Sequence, residues 1–267
     1  MAVTPFHDPS RGALRIAGFM SGSGTNLRRI LEHQEALRLA RGRAPYEVAV
    51  IFSDTADSNA PAIGKDHDVP VVIRDLRGYC RQRGKPRRDM AVRAQYDAET
   101  LTALRPFGVQ AAAFAGYMSI ASPVLVGGLL SVNVHPADLS IRMEGARKYK
   151  GDHAVADALR AGETHLASST HIVEPEVDEG RILLVSPPVD VVVGEGLSIE
   201  KDLEAIAAAN QDRLKEAGDW VIFPATLQLI AEGRFARDEA GTVHFDGRPA
   251  PDGVRYDARL VTPTANG

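Results

Sequence analysis

The segment SVNVHP, which begins at Ser131, ends an alternating run with two side chains that can do chemistry. Strand alternation places Asn133 and His135 on one face of the strand and the neighbouring valines on the other. An amide can donate a hydrogen bond to a developing oxyanion, and an imidazole can relay protons near neutral pH. Because Pro136 ends the strand, both side chains are predicted at a sheet edge where ligands bind. The pair suits acyl transfer.

A histidine in that role needs a partner that sets its tautomer and raises its pKa. Asp178, in the segment EVDEGR between two predicted strands, is the best candidate for this partner. Taken alone, a histidine near a strand end is usually structural, and Asp178 can be a turn residue before Gly180. Sequence spacing does not choose between these interpretations.

The predicted elements alternate in the order that would bring such residues to one sheet edge. A glycine turn and an amphipathic helix follow the first apolar strand, and strands then alternate with helices as far as His135. The order predicts an α/β fold with a doubly wound, mostly parallel sheet and ligands beyond the carboxyl ends of its strands. The predicted strands of this region are ALRIAGFMS, YEVAVIFSD, VPVVIRD, VQAAAFAGY and LLSVNVHP.

The regular alternation ends after His135. The segment ADLSIRMEGARKYKG carries four cationic side chains and two glycines, and is predicted to be a flexible loop over the carboxyl edge of the sheet. A helix, two β-rich runs and a helical region from Ser198 to Gly233 follow, with an interruption near Asp219. We assign residues 13–235 to the main domain and residues 236–267 to a peripheral C-terminal tail that forms a hairpin.

The composition bounds the class of protein. The chain has 267 residues, 44% of them hydrophobic and 25% charged, as in ordinary globular proteins. A net charge of −4 gives no basic footprint for nucleic acid, and no apolar run approaches the roughly 20 residues of a membrane span. The single cysteine, Cys80, excludes an intramolecular disulfide and a Cys-rich metal site. We expect a cytoplasmic protein with small-molecule substrates, no metal, no nucleic-acid or membrane partner, and the capacity to form a homo-oligomer.

The turn SGSGTN, between the first strand and the first helix, is a candidate anion site. Backbone amides at Gly24, Thr25 and Asn26 open the helix, where unpaired N–H groups and the helix dipole favour phosphate. A second interpretation is a nicotinamide dinucleotide site with Asp54 on the ribose, although the third glycine of that fingerprint is absent. A third is that the glycines only make the turn and Thr25 or Asn26 caps the helix. The polar side chains in the turn make us favour phosphate.

Four segments in order, SGSGTN, AGYMSIASP, SVNVHP and THIVEPEVDEGRIL, resemble the folate-dependent formyltransferases, most nearly those that act on phosphoribosylglycinamide. The resemblance extends from about Ile16 to about Phe235. It implies a Rossmann-like fold and formyl transfer from 10-formyltetrahydrofolate to the amine of phosphoribosylglycinamide in purine biosynthesis, without a metal. By the same resemblance, Asn133 stabilises the oxyanion, His135 shuttles the proton, and Asp178 holds and polarises His135.

Further positions match the family one by one. The turn residues Gly24, Thr25 and Asn26 match a loop for the substrate phosphate, and Asp219 falls where the family has a glutamate that contacts the substrate ribose. The positions that match the folate pocket are Arg93, Met118, Ser119, Ile120, Ala121 and Glu174. Plain alternatives exist: Met118 and Ile120 can be core residues, Arg93 a solvated helix residue, and Asp219 a helix cap.

The resemblance breaks after Pro136, where a longer basic insert, residues 140–150, replaces a short loop. This insert can clamp an additional phosphate or the glutamate tail of folate, or it can be a solvated surface loop. The acceptor therefore stays open between phosphoribosylglycinamide and another amine, such as an amino sugar or an amino acid derivative. Hydrolysis of 10-formyltetrahydrofolate is a further outcome of the same site. From other classes, we retain an NAD(P)-binding oxidoreductase built on Gly22, Gly24 and Asp54, and a non-catalytic folate-binding module.

Overall fold

The computed structural model describes residues 2–262, which form a mixed α/β protein. None of the described helices is long and apolar enough to cross a membrane. The strands are β1 (Val3–Pro5), β2 (Leu14–Met20), β3 (Tyr46–Ser53), β4 (Val71–Ile73), β5 (Ala111–Phe114), β6 (Leu130–His135), β7 (Arg142–Met143), β8 (Ala146–Arg147), β9 (His165–Leu166), β10 (Ser169–Ile172), β11 (Ile182–Val185), β12 (Val189–Asp190), β13 (Phe235–Asp238), β14 (Val243–Phe245), β15 (Arg248–Pro249) and β16 (Val254–Arg255). The α-helices are α1 (Thr25–Arg41), α2 (Ala60–His67), α3 (Leu76–Gln82), α4 (Met90–Leu104), α5 (Pro123–Gly128), α6 (Ala154–Arg160), α7 (Ile199–Leu214) and α8 (Trp220–Ala231).

One compact unit, residues 7–133 and 173–176, is built on a parallel sheet. Strand β2 lies between β3 and β5, β4 pairs with β3, and β6 pairs with β5, each in parallel. The strand order therefore reverses direction between β2 and β5, which is the topological switch point of a doubly wound sheet. The predicted α/β fold with a mostly parallel sheet is confirmed.

Aromatic side chains near the carboxyl ends of these strands form the core of this unit. The rings of Phe19 and Phe52 lie 4.6 Å apart between centroids, and those of Phe19 and Phe114 lie 5.3 Å apart. All three rings are buried, and burying one phenylalanine side chain contributes roughly 1.5–3 kcal/mol. This packing gives the loops that follow the strands a rigid base.

Helix boundaries differ from the predicted ones where an aspartate caps the helix. The segment QYDAETLTALRP predicts a helix that begins at Gln95. Helix α4 begins at Met90 instead, because the Asp89 carboxylate accepts hydrogen bonds from the first-turn amides. Helix α3 was not predicted; Asp75 caps it in the same way. The predicted interruption near Asp219 is a π-helical turn, Lys215–Asp219, that leads directly from α7 into α8.

The other unit comprises the remaining described residues. In it, β10 pairs antiparallel with β11, and β16 pairs in parallel with β11. A separate antiparallel sheet has the order β1, β13, β14, β15. Strands of the C-terminal tail thus take part in both sheets, and residues 263–267 lie outside the described residues. The division into a main domain, 13–235, and a tail, 236–267, stays a prediction.

The basic insert was predicted to be a flexible loop, and this is wrong. Strands β7 and β8 form an antiparallel hairpin joined by a two-residue turn, in which Glu144 and Gly145 have φ angles of 52° and 85°. Positive φ at both positions is typical of a type I′ turn, which joins short hairpins. The side chains of Arg147 and Tyr149 are buried. The sequence concealed the hairpin because glutamate, unlike asparagine or aspartate, is an uncommon residue at the first turn position.

Candidate active site

A buried histidine–aspartate pair forms the centre of the candidate site. His135 is the last residue of β6, and its Nδ1 atom lies 3.3 Å from Oδ2 of Asp178, in the loop between β10 and β11. The two residues are 5% and 8% exposed. The backbone N–H of Gly151 donates to the same oxygen at 2.8 Å, and Nε2 of His171 lies 3.5 Å from Oδ1. The structure thus places His135 and Asp178 in contact, which the sequence spacing left undecided.

The surroundings of this pair set its charges. Burial by itself raises the pKa of Asp178, but the hydrogen bond to His171, the charge of His135 and the Gly151 N–H outweigh burial and lower the pKa to about 2. Burial, which disfavours the imidazolium, lowers the pKa of His135 more than Asp178 raises it. At neutral pH the pair is therefore a carboxylate anion beside a neutral imidazole, which can accept a proton.

The second nitrogen of the histidine ring also faces an acceptor. Nε2 of His135 lies 3.2 Å from the backbone carbonyl oxygen of Tyr149. A neutral imidazole can donate from one nitrogen only, whereas an imidazolium donates from both. The carboxylate of Asp178 and this carbonyl therefore stabilise the ring once it has taken up a proton. This geometry suits a group that receives and returns a proton within one reaction.

Two further side chains lie on the strands themselves. Asn133 lies two residues before His135 in β6, on the same face of that strand, and is half-buried. His171, in β10, was missed by the sequence reasoning. A signal for it existed, because THIVEP runs directly into EVDEGR and so keeps Asp178 close in sequence to His171. The role of Asn133 in stabilising an oxyanion stays a prediction.

The glycine turn has the form of an uncapped helix start. Gly24 is the N-cap of α1 with a φ of 70°, and no side chain makes a capping hydrogen bond. A Cβ at this position would lie 2.5 Å from Cδ1 of Ile63, so only glycine fits. The interpretation that Thr25 or Asn26 caps the helix is wrong. Oδ1 of Asn26 is buried with no hydrogen-bond partner among residues 2–262, which leaves it for a ligand or water.

Asp54, the acid that the dinucleotide interpretation places on the ribose, already accepts hydrogen bonds from side chains of the protein. The carboxylate of Asp54 is buried and accepts hydrogen bonds from the hydroxyl of Ser21 at 2.6 Å and from that of Ser119. A ribose-binding acid must present its oxygens to the two ribose hydroxyls. Asp54 instead joins the first glycine turn to the segment after β5, so the oxidoreductase alternative loses the residue on which it depends.

The predicted pterin segment alternates between exposed and buried side chains. Met118 is 72% exposed and Ile120 is 56% exposed, whereas Ser119 and Ala121 are buried. The alternative that Met118 and Ile120 belong to the core is therefore wrong. Exposed apolar side chains at these two positions can pack against the face of a flat heterocyclic ring.

Arg93 lies in the interior of its unit. It is 1% exposed, with Nη2 lying 3.5 Å from Oδ1 of Asp97 and 3.3 Å from the hydroxyl of Tyr117. The alternative of a solvated helix residue is wrong. Its Nε and Nη1 atoms have no hydrogen-bond partner among the described residues. A contact with folate stays a prediction.

Two further predicted contacts have less support. Oδ1 of Asp219 accepts a hydrogen bond from the hydroxyl of Ser168 at 2.5 Å, and its side chain does not cap α8, so the capping alternative is wrong. Glu174 is half-buried. The contact of Asp219 with a ribose and that of Glu174 with folate stay predictions.

A family profile described as formyl transferase matches residues 14–216. The chain is 24% identical over 239 residues to the phosphoribosylglycinamide formyltransferase of Haemophilus influenzae, covering 89% of this chain and 96% of that protein.

Solved structures show the same fold. A phosphoribosylglycinamide formyltransferase from Coxiella burnetii superposes with a TM-score of 0.65 at 22% identity, covering 92% of this chain and 100% of that one. A glycinamide ribonucleotide transformylase from Symbiobacterium toebii superposes with a TM-score of 0.62 at 29% identity, covering 87% of this chain and 94% of that one. The mixed α/β arrangement is thus shared over most of both chains.

Proposed function

This chain belongs to the formyl transferase family, and we propose that it transfers a formyl group from 10-formyltetrahydrofolate to the amine of phosphoribosylglycinamide. The observation that carries the proposal is the buried pair of His135 and Asp178, in which Nδ1 lies 3.3 Å from the carboxylate. The names of the relatives that match most of the chain support the choice of acceptor.

The proposed reaction follows from the charges of the pair. The amine nitrogen attacks the formyl carbon, and the carbonyl oxygen becomes an oxyanion that the Asn133 amide stabilises by donating a hydrogen bond. Neutral His135 accepts the proton that the attacking nitrogen releases, and Asp178 stabilises the resulting imidazolium. When the bond from the formyl carbon to N10 of the folate breaks, His135 returns the proton to N10. Formylated amine and tetrahydrofolate are the products.

Separate features support each substrate. The uncapped start of α1 at Gly24 suits a phosphate, because the backbone N–H groups of the first turn can donate to its oxygens. The exposed Met118 and Ile120 suit the pterin ring of the donor. Phosphoribosylglycinamide carries both the phosphate and the primary amine that this chemistry requires.

The basic insert gives little reason to prefer a different acceptor. Nζ of Lys148 lies 3.2 Å from the carboxylate of Glu163, and Nζ of Lys150 lies 2.8 Å from that of Glu179. Arg147 is buried against backbone carbonyls. These three cations already have carboxylate or carbonyl partners in the protein, so we do not assign them to an additional phosphate or to the glutamate tail of folate.

The test is formyl transfer by the purified protein. The protein is supplied with 10-formyltetrahydrofolate and phosphoribosylglycinamide, an amino sugar phosphate, an amino acid or water alone, and loss of the donor and formation of formylated product are both followed. We expect acceleration with phosphoribosylglycinamide only. Acceleration with a different amine would contradict the acceptor, and donor loss without an amine would indicate a hydrolase. Folate binding without formyl loss would indicate a binding module.

Matched histidine variants connect the activity to the site. His135→Asn removes the proton carrier, and we expect the rate to fall by about 100- to 10,000-fold. His165→Asn serves as the control, since this side chain is 57% exposed and contacts only Asp190 and Thr164 among the described residues, both at the surface. Equal rates for the two variants would contradict the assignment of His135.

A further inference from the structure

The basic insert and Gly151, the residue that follows it, contact both members of the histidine–aspartate pair. Gly151 donates its backbone N–H to the carboxylate of Asp178, and the Tyr149 carbonyl faces Nε2 of His135. Arg147 donates from Nη1 to the backbone carbonyl of Asp178 and from Nη2 to that of Gly180, the second bond at 2.7 Å. The segment that departs from the family pattern thus contacts His135 and Asp178, two residues at which the family pattern is kept.

The turn that carries Asp178 requires support. Asp178 has a φ of 55°, in the left-handed region that costs a residue other than glycine roughly 1–2 kcal/mol. A Cβ on Gly180 would lie 1.7 Å from the carbonyl oxygen of Ile172, so the turn is pressed against β10. The two carbonyls that Arg147 binds flank Glu179, and binding both of them holds the turn at its two ends. A strained backbone of this kind persists only where neighbouring groups hold it.

The arginine is suited to this task by its shape. Its side chain is buried, and its Nε atom lies 3.8 Å from the carboxylate of Glu179, which offsets part of the cost of burying the charge. The planar guanidinium presents its donors in a fixed fork, so two carbonyl oxygens can be held at a set separation. A lysine ammonium at the same position could not reproduce that fork.

We infer that Arg147 is a positioning residue, whose guanidinium fixes the turn at Asp178–Gly180 so that the Asp178 carboxylate stays directed at His135. The inference rests on the proposed function, because the orientation of the pair matters to the reaction only if His135 carries the proton. The charged and titratable groups facing the pair are His171 from β10, Arg147 from β8, and the ion pair of Lys150 with Glu179.

The experiment compares Arg147→Lys with Arg142→Met. Arg142 lies in the same hairpin, and its exposed guanidinium donates to the Gly145 carbonyl at 3.3 Å and to no carbonyl of the Asp178 turn among residues 2–262, so it is the matched control. For Arg147→Lys we expect kcat to fall by about 10- to 100-fold, because a misplaced catalytic group costs that much, with KM for both substrates nearly unchanged. The acid limb of the kcat/KM profile should move to lower pH, since His135 loses part of the carboxylate that raises its pKa.

A purely structural role predicts different results. It would lower the melting temperature and the fraction of active protein while leaving the pH profile of the folded fraction unchanged, and that outcome would overturn the inference. In Arg147→Ala, free guanidinium should restore part of kcat, and Arg142→Met should match the wild type throughout. If neither Arg147 variant folds, Glu179→Gln can be used, because it removes the carboxylate that faces the Arg147 guanidinium. We then expect the acid limb of the kcat/KM profile to move to lower pH by a smaller amount. An unchanged pH profile in Glu179→Gln would overturn the inference.

An activity-independent measurement separates this inference from the proposed function. Titration of the His135 ring can be followed by NMR in the wild type and in Arg147→Lys. A lower pKa in the variant supports the positioning role even if no amine accepts a formyl group. If the wild type transfers the formyl group, and Arg147→Lys has the same His135 pKa and the same kcat as the wild type, the positioning role is overturned while the proposed function stands.

Discussion

Replacing Asp178 with asparagine should reveal how strongly the fold depends on that charge. The carboxyl is buried, and its pKa is about 2 in the folded protein because the donors around it outweigh burial. In the unfolded chain an aspartate has a pKa of about 3.9. A pKa lowered by roughly two corresponds to about 2–3 kcal/mol of stability that the ionised carboxylate contributes.

The sign and the pH window follow from the direction of the shift. A lowered pKa means that the contribution is present above the unfolded value and is lost as the pH falls through the folded value. With these two values, Asp178 makes nearly all of this contribution at pH 5 and about half of it at pH 3. The Asp178→Asn variant lacks this titration. The difference in stability between wild type and variant should therefore shrink by about 1 kcal/mol from pH 5 to pH 3.

The measurement is urea unfolding of both proteins at pH 5, 4 and 3. Asp257→Asn is the control, since the pKa of Asp257 is also about 2 but its partner Arg259 is exposed at the surface. Salt at about 0.5 M should remove any pH-dependent effect of the control and leave that of Asp178→Asn. A stability difference for Asp178→Asn that is the same at all three pH values would refute the reasoning.

Three further predictions concern the site and its turn. Asn133→Ala should lower kcat by about 100- to 1,000-fold while the circular dichroism spectrum stays that of the wild type, and near-normal turnover would exclude it as the oxyanion donor. The kcat/KM of the wild type should fall as the pH drops through a value below the ordinary histidine pKa of about 6.5, because burial lowers the pKa of His135; an acid limb above that value would contradict this. Gly180→Ala should destabilise the protein by more than about 3 kcal/mol, since its Cβ would collide with the Ile172 carbonyl, whereas Gly127→Ala, with open space around it, should be nearly neutral in urea unfolding.

Much of the fold was predictable because its signals are local. The uniformly apolar run that became β5 and the alternating run that became β6 each carry their pattern within a few residues. Helix α1 follows its glycine turn as predicted. Helix α3 and the hairpin of β7 and β8 were missed, because a short capped helix and a two-residue turn with glutamate leave only weak signals in composition.

The residues of the candidate site were predictable as types but not as neighbours. Asn133 and His135 share a strand face by the period of two, which the sequence states directly. Whether Asp178 contacts His135 depends on how the loop between β10 and β11 packs against the end of β6. No local sequence pattern encodes the distance between them. The exposure of Met118 and the burial of Arg93 are decided in the same way, by what packs against them.

The sequence by itself determined the parallel α/β framework, the polar strand end and the family to which the chain belongs. Only the tertiary structure decided that the basic insert, taken for a flexible loop, lies against the histidine–aspartate pair. Arg147 and Asp178 are 31 residues apart along the chain, and their hydrogen bond exists because the hairpin folds back on the turn. Periodicity and capping act over one or two turns of backbone, whereas contacts of this length depend on how the whole chain closes.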